Sequence, residues 1–241
     1  MRRFLSLVVT LAVALAAAAR TAAPEFTNVE VVGWDFSGFD EKIREAVSKA
    51  YAPGAGEAER RAAAEALSER ADFLWSAGNP LFYKHALGDY RHVLRLRPDD
   101  AEARERADTI VSIYKAMGRP IPKNGELKSG EGFLFELFRT TPKRLSFEPG
   151  RARAEGEEVS DRVAFVYQFD ATAGQALAVK VETKGKGAAV FDLSLRDPAA
   201  PLKLVSGARS KRLLLPSKGN YLLRVYSKGG SAEYELKAEL R

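Results

Sequence analysis

The chain has 241 residues, of which 46% are hydrophobic and 29% charged, enough for one large or two modest globular units with a buried core. It contains no cysteine, which excludes disulfides, thiolate metal sites and a cysteine nucleophile. Its net charge of +6 is uneven: residues 1–120 hold 17 basic and 17 acidic side chains, whereas residues 121–241 hold 21 and 15.

At the N-terminus, Arg2 and Arg3 precede an apolar run from Phe4 to Ala19, closed by Arg20. A basic start, an apolar stretch and small residues at its end predict a secretory signal peptide over residues 1–22, cleaved after Ala19 or near Ala22–Ala23. The run is 16 residues long, against the ~20 that a membrane-spanning helix needs. A periplasmic or secreted protein is expected, with the membrane met only through an uncleaved leader. Without Arg2, Arg3 and Arg20 the N-terminal part becomes mildly acidic, and the basic C-terminal part could meet anionic envelope polymers. Nucleic acid is not an expected partner, because the basic residues are not clustered with aromatics.

Residues 24–37 read as a short strand or an extended arm over Asn28–Phe36, with Trp34 and Phe36 packed on the helical segment after it. From Asp40 the period is helical, and Ile43, Val47 and Tyr51 share one face until Pro53-Gly54 breaks it. Glu57–Ala77 is an alanine-rich helix with Ala64, Leu67, Ala71 and Leu74 as its inner stripe. Pro80–Leu96 comes next, with Asn79 as its cap and Phe82, Ala86, Tyr90, Val93 and Leu94 on its apolar side. Asp99-Asp100 caps a last helix, Ala101–Met117, whose stripe is Ala103, Ala107, Ile110, Val111 and Tyr114.

Ala86, Tyr90 and Pro98, with Tyr83, Val93-Leu94, Tyr114 and Gly118, give residues 57–118 a resemblance to a degenerate tetratricopeptide (TPR) helix pair running into another unit. The turn between Gly78 and Ala86 is longer than that family's, and its Trp–Leu–Gly signature is missing. One and a half repeats imply a compact helical domain over 23–118 with partner-binding potential rather than a long peptide groove.

Residues 119–143 are rich in Gly and Pro and read as a linker, interrupted by the apolar segment Phe133–Phe138, expected to dock between domains or to form an edge strand. Nine short strands are predicted beyond it: Arg144–Phe147, Ala152–Glu158, Val163–Phe169, Ala176–Thr183, Ala189–Arg196, Leu202–Val205, Lys211–Leu215, Asn220–Ser227 and Ala232–Leu240. In Ala176–Thr183 the alternation sends Leu177, Val179 and Val181 to one face, and Ala176, Ala178 and Lys180 to the other. The fold class is therefore multi-domain: a short α-helical, TPR-like domain followed by an antiparallel, jelly-roll-like β-sandwich over 144–241.

Leu145-Ser-Phe-Glu-Pro-Gly150, the turn at Ala173-Gly-Gln175, Ala189–Leu193, Leu215-Pro-x-x-Gly-x-Tyr221 and Ala232-x-Tyr234-x-Leu236 are similar to the bacterial pre-peptidase C-terminal (PPC) domains and their g-type lysozyme inhibitor-like relatives. The resemblance implies a sandwich with Gly174 and Gly219 at turns and Tyr221 and Tyr234 facing the core or a corner. It leaves function open.

Few residues suggest chemistry. His85 and His92, the only histidines, lie two turns apart instead of at the i, i+3 or i, i+4 spacing of helical ligand pairs. They read as satisfied or solvent-facing side chains, with Asp89 the nearest carboxylate in sequence. No G-x-S-x-G elbow or phosphate loop is present. The acidic segment Glu155–Asp161 reads as a solvated turn rather than a calcium site, since it lacks alternating Asp/Asn–Gly spacing. No cofactor is expected. The expected function is a non-enzymatic, exported binding or scaffold protein of the bacterial envelope. It would contact protein or envelope polysaccharide through Lys184, Lys186, Arg209, Lys211, Arg212 and Lys228. The alternatives are a periplasmic inhibitor of a lysozyme-type hydrolase, which the resemblance permits, and an accessory module of a secreted peptidase system.

Overall fold

The computed structural model describes residues 24–126, 134–148, 150–196 and 201–241. The expected leader and Phe133 lie outside the described residues. The helices fall where the apolar periodicity predicts them: α1 (Ser37–Ala50), α2 (Glu57–Ser76), α3 (Pro80–Leu96) and α4 (Ala101–Ala116). Local chemistry sets their starts. Asn79 Oδ1 accepts from the Leu81 N–H at 3.0 Å ahead of Pro80, Asp100 Oδ1 accepts from Ala103 N–H at 3.0 Å, and Glu59 reaches back to the Gly56 N–H at 2.8 Å. Ile43, Val47, Ala64, Leu67, Ala71, Leu74, Ala86 and Val93 are all fully buried, and consecutive helices pack on one another in sequence order.

The Asn28–Phe36 region, readable from sequence as strand or arm, belongs to two strands, β1 (Glu25–Val32) and β2 (Trp34–Asp35). The apolar segment near residue 135 becomes β3 (Leu134–Thr141), and β1 runs parallel to it with Glu25 opposite Leu134 and Val32 opposite Thr141. Beyond it come β4 (Lys143–Arg144), β5 (Arg151–Glu155), β6 (Ala164–Ala171), β7 (Ala176–Lys184), β8 (Ala188–Leu195), β9 (Leu202–Ala208), β10 (Ser210–Leu214), β11 (Gly219–Lys228) and β12 (Glu233–Leu240). One sheet has the order β10-β7-β12-β5. The other runs β2-β6-β11-β8-β9, with β4 also on β6. Pairs within β5–β12 are antiparallel, as predicted, whereas β1 on β3 and β4 on β6 are parallel.

Alternation places Leu177, Val179, Val181, Tyr234 and Leu236 from one sheet against Tyr167, Phe169, Tyr221, Leu223 and Phe191 from the other, all buried. The Tyr167 and Tyr234 hydroxyls meet at 2.9 Å between the sheets. Tyr221 is both core and corner: its ring is buried, and its hydroxyl donates to the Ser217 carbonyl at 2.6 Å. Gly174 has the positive φ of a turn glycine, 80°. Gly219 does not: it opens β11, where an added Cβ would meet only the flexible end of Leu195, 2.6 Å from its Cδ1.

One continuous core joins helices to sandwich through Trp34 and Phe36. Trp34 packs edge-on to Phe73 of α2, Phe82 of α3 and Phe165 of β6, and Phe36 meets Phe138 of β3 at 4.4 Å. Asp35 accepts from Arg224 Nε of β11 at 2.9 Å, and Arg162, ahead of β6, pairs with Glu69 of α2. Gly33 turns the chain from β1 into β2 with φ +83°, and an added Cβ would fall 2.1 Å from the Phe165 ring. Gly33→Ala is therefore expected to lower stability by about 2–4 kcal/mol, strain and overpacking together. Gly174→Ala, with a similar φ but open space around it, should cost only about 1–2 kcal/mol. Equal shifts in the urea midpoints of the two variants would disprove the steric part.

Candidate functional site: a basic groove on the four-stranded sheet

The outer face of the β10-β7-β12-β5 sheet carries the polar half of each alternating strand. Register decides which side chains meet there. Lys180 lies opposite Lys237 on one side and Ser210 on the other, and Lys237 lies opposite Arg153. One pleat along, Ala178 lies between Arg212 and Glu239, and Glu239 lies opposite Arg151. The small Ala178 and Ser210 leave a depression between longer neighbours, a groove of 540 Å³ lined by Arg151, Arg153, Lys180, Lys211, Arg212 and Lys237 against one carboxylate, Glu239.

Like charges directly opposite one another destabilise a sheet unless they are neutralised. Glu182 does part of this, standing 2.8 Å from both Lys180 Nζ and Lys237 Nζ. Those two hydrogen bonds lower its pKa to about 2, so it stays ionised under all ordinary conditions. Glu239 accepts from Arg151 Nε at 3.3 Å and from Arg241 at 2.8 Å. Lys237 also lies 3.5 Å from Glu235, whereas Arg153, Lys211 and Arg212 make no ion pair among the described residues. On the outer face this leaves Arg153 and Arg212 as cations without an ion pair, open to an external anion, whereas Lys211 lies opposite the inward-facing Val179.

Of the six contacts expected from sequence, Lys211 and Arg212 line the groove and Arg209 sits beside its margin, next to Ser210. Lys184, Lys186 and Lys228 are exposed at the end of the sandwich where β7 and β11 finish and β8 begins, away from the groove. Sequence reasoning missed Arg151, Arg153, Lys180 and Lys237. Their signal was parity: Arg153 and Lys237 flank the buried Ala152 and Leu236 or Ala238, and Lys180 stands between Val179 and Val181.

A second polar cluster is buried where β3 meets the helices. Arg70, 1% exposed, donates through Nε and Nη2 to both oxygens of Asp89, at 2.8 and 2.7 Å, and through Nη1 to Asp40 at 2.7 Å. Asp40 Oδ2 also accepts from the Phe138 N–H at 2.6 Å, tying β3 to α1. Burial raises the pKa of Asp40 and of Asp89, against the pull of Arg70. His85 Nδ1 lies 2.5 Å from Glu136 Oε2, and the Asn124 amide donates to both Glu136 oxygens at 2.9 Å. His92 Nε2 meets the Leu134 carbonyl at 3.0 Å with its ring stacked on Phe135, and burial lowers its pKa to about 4.

Both histidines are therefore buried, His85 on Glu136 and His92 with its Nε2 on the Leu134 carbonyl, which corrects the solvent-facing alternative, and the carboxylate beside His85 is Glu136 of β3 rather than Asp89. The legible signal was a charge standing in an apolar stripe: Asp40 ahead of Ile43 and Val47, Arg70 between Leu67 and Leu74, Asp89 between Ala86 and Val93. Neither His85 nor Glu136 lines the basic groove or the acidic cleft between α2, α3 and α4. The cluster binds β3 to the helices. Among the described residues no three His, Asp or Glu side chains converge as a metal site, including around Glu158 and Asp161, and no helix is long and apolar enough to cross a membrane.

No protein-family profile matches the chain, and no curated protein does so. Among solved structures, it is similar to the periplasmic inhibitor of g-type lysozyme from Aeromonas hydrophila, at 24% identity and TM-score 0.35, over 42% of this chain and 96% of that one. It is also similar to the pre-peptidase C-terminal domain of a Bacillus anthracis collagenase, at 16% identity and TM-score 0.29, over 41% and 95%. A third likeness is to the C-terminal CBM6 of a laminarinase from Zobellia galactanivorans, at 14% identity and TM-score 0.24, over 37% and 78%. Likenesses at these scores carry no functional conclusion, so any reading of function rests on the groove itself.

Proposed function

We propose that this is an exported, non-enzymatic binding or scaffold protein of the bacterial envelope that holds an anionic partner on the basic face of its sandwich, with the TPR-like helices as a second contact surface. The leader-like residues 1–22 support export. The observation that carries the reading is the groove itself, where Arg151, Arg153, Lys180, Arg212 and Lys237 gather on one sheet face and Arg153 and Arg212 make no ion pair among the described residues. Such a field raises the local concentration of anions and speeds their capture. The same groove speaks against inhibition of a lysozyme-type hydrolase through this face: those enzymes are commonly cationic, and like charge slows association where complementarity would speed it.

Chromatography on immobilised heparin tests the reading. The protein is expected to be retained and released by salt, as charge-driven contacts require. Arg153→Glu/Arg212→Glu, at the two sides of the groove, should elute at clearly lower salt, whereas Lys184→Glu/Lys228→Glu, at the end of the sandwich, should elute near the wild type. Equal weakening by both pairs would spread the contacts around the turns, and no retention at all would dismiss an anionic partner.

A further inference from the structure

The chain carries an anionic surface of its own. Residues 24–118 hold 13 basic and 17 acidic side chains, and acidic groups collect in a cleft of 430 Å³ between α2, α3 and α4. Glu65, Glu69 and Asp72 line it from one stripe of α2, at i, i+4 and i+7, and Asp100 and Glu102 line it from the start of α4. Arg97 is the one cation in this lining. Glu69 is held by Lys42 and Arg162, and Asp100 lies 3.5 Å from Arg97. Asp72 accepts from the Tyr90 hydroxyl at 2.6 Å. Glu65, Asp72 and Glu102 are exposed and make no ion pair among the described residues.

The basic sheet is the complement of this cleft. Arg153 stands on β5 and Arg212 on β10, the two edge strands of that sheet, and both are exposed and without an ion pair among the described residues. A long guanidinium on a strand edge is a knob, and a recess lined by unpaired carboxylates is a hole that suits its planar fork. The groove between the arginines has no aromatic ring in its lining to stack a base, so charge leads recognition there. Groove and cleft do not meet within one molecule. The helices join the sandwich at β2 and β6 of the other sheet, through Trp34 and Phe165, and the groove lies on the outer face of the opposite layer.

Resting on the anionic-partner reading above, we infer that the partner of the basic face is the acidic helical cleft of a second copy of this chain, with Arg153 and Arg212 meeting Glu65, Asp72 and Glu102. The contact joins two different surfaces and is therefore head-to-tail. Each pair of copies keeps one free groove and one free cleft, so association continues into open chains unless the rotation closes a ring. A contact led by exposed charge exchanges readily and yields to salt.

Sedimentation velocity of the purified protein tests this. At low salt the mean sedimentation coefficient is expected to rise with protein concentration, and to return to the monomer value in about 1 M salt, where the screening length is about 3 Å. Arg153→Glu/Arg212→Glu and Glu65→Lys/Glu102→Lys, each checked for folding by circular dichroism, should move half-association to concentrations about tenfold higher. Mixing the two variants should restore association, because the basic groove of one then meets the acidic cleft of the other. A wild type that stays monomeric at low salt, an oligomer that either variant leaves unchanged, or a mixture that stays dissociated would overturn the inference. Heparin chromatography separates that failure from failure of the reading beneath it. A monomer still retained on heparin keeps the anion-binding face and loses only the self-contact, whereas absence of retention removes the face itself.

Discussion

Replacing Arg70 with methionine is expected to lower stability by about 3–5 kcal/mol, a large part of the 5–15 kcal/mol typical of a folded protein. The guanidinium is buried and spends its donors on two carboxylates, bidentate on Asp89 and single on Asp40. Removing it leaves both acids in the core without a counter-charge, and the cost is mostly that of stranding them. Arg70→Met/Asp89→Leu should consequently be more stable than Arg70→Met alone, since replacing both partners of a buried pair by apolar groups roughly breaks even. Asp40 is the wrong acid to remove, because its second oxygen takes the Phe138 N–H and holds β3 to α1. Urea unfolding gives the comparison through midpoints at constant slope. A single variant within about 1 kcal/mol of the wild type would show that this network does not hold the seam.

The second large effect is sensitivity to acid. In the folded chain burial lowers the His92 pKa from 6.5 to about 4. Between those two values the unfolded state holds the extra proton and the native state does not, so acidification favours unfolding. Stability is undiminished above pH 6.5 and has lost about 3 kcal/mol by pH 4. Asp40 and Asp89, whose pKa values burial raises, take up protons on folding and act in the opposite sense. Glu136 and Asp35 are lowered, against burial, by hydrogen bonds from His85 and Asn124 and from Ser37 and Arg224, and they withdraw stability at the acid edge of the window and below. His92→Gln, which keeps a donor for the Leu134 carbonyl, isolates the histidine: the slope of stability against pH between 6.5 and 4 should flatten. An unchanged slope would assign the acid sensitivity to other groups.

Much of this architecture can be read residue by residue. Periodicity, caps and turn residues place the four helices within a few residues of their true ends, because a helix stripe and an Asn79 or Asp100 cap are local properties. Alternation in Ala176–Thr183 names the buried face correctly, with Leu177, Val179 and Val181 inside. The role of Trp34 and Phe36 as packing groups is likewise visible, since large aromatics in a short polar segment need a covered surface.

Position in the sheets is a different matter. That β1 pairs with β3, more than a hundred residues away, and that β2 extends the sandwich sheet depends on contacts no local pattern encodes. The same limit governs both polar clusters. Each of Arg153, Lys180, Arg212 and Lys237 reads alone as a solvated strand residue; only the order β10-β7-β12-β5 sets them side by side and turns ordinary surface charge into a groove. Asp40, Arg70 and Asp89 stand in apolar stripes and so signal burial, but their partners, and the place of Glu136 beside His85, are set only where three helices and β3 close over them. The amino-acid order therefore settles which face of each element is apolar, since that follows from its own period. Which faces meet, and hence where charge is concentrated or buried, is settled by long-range pairing and packing.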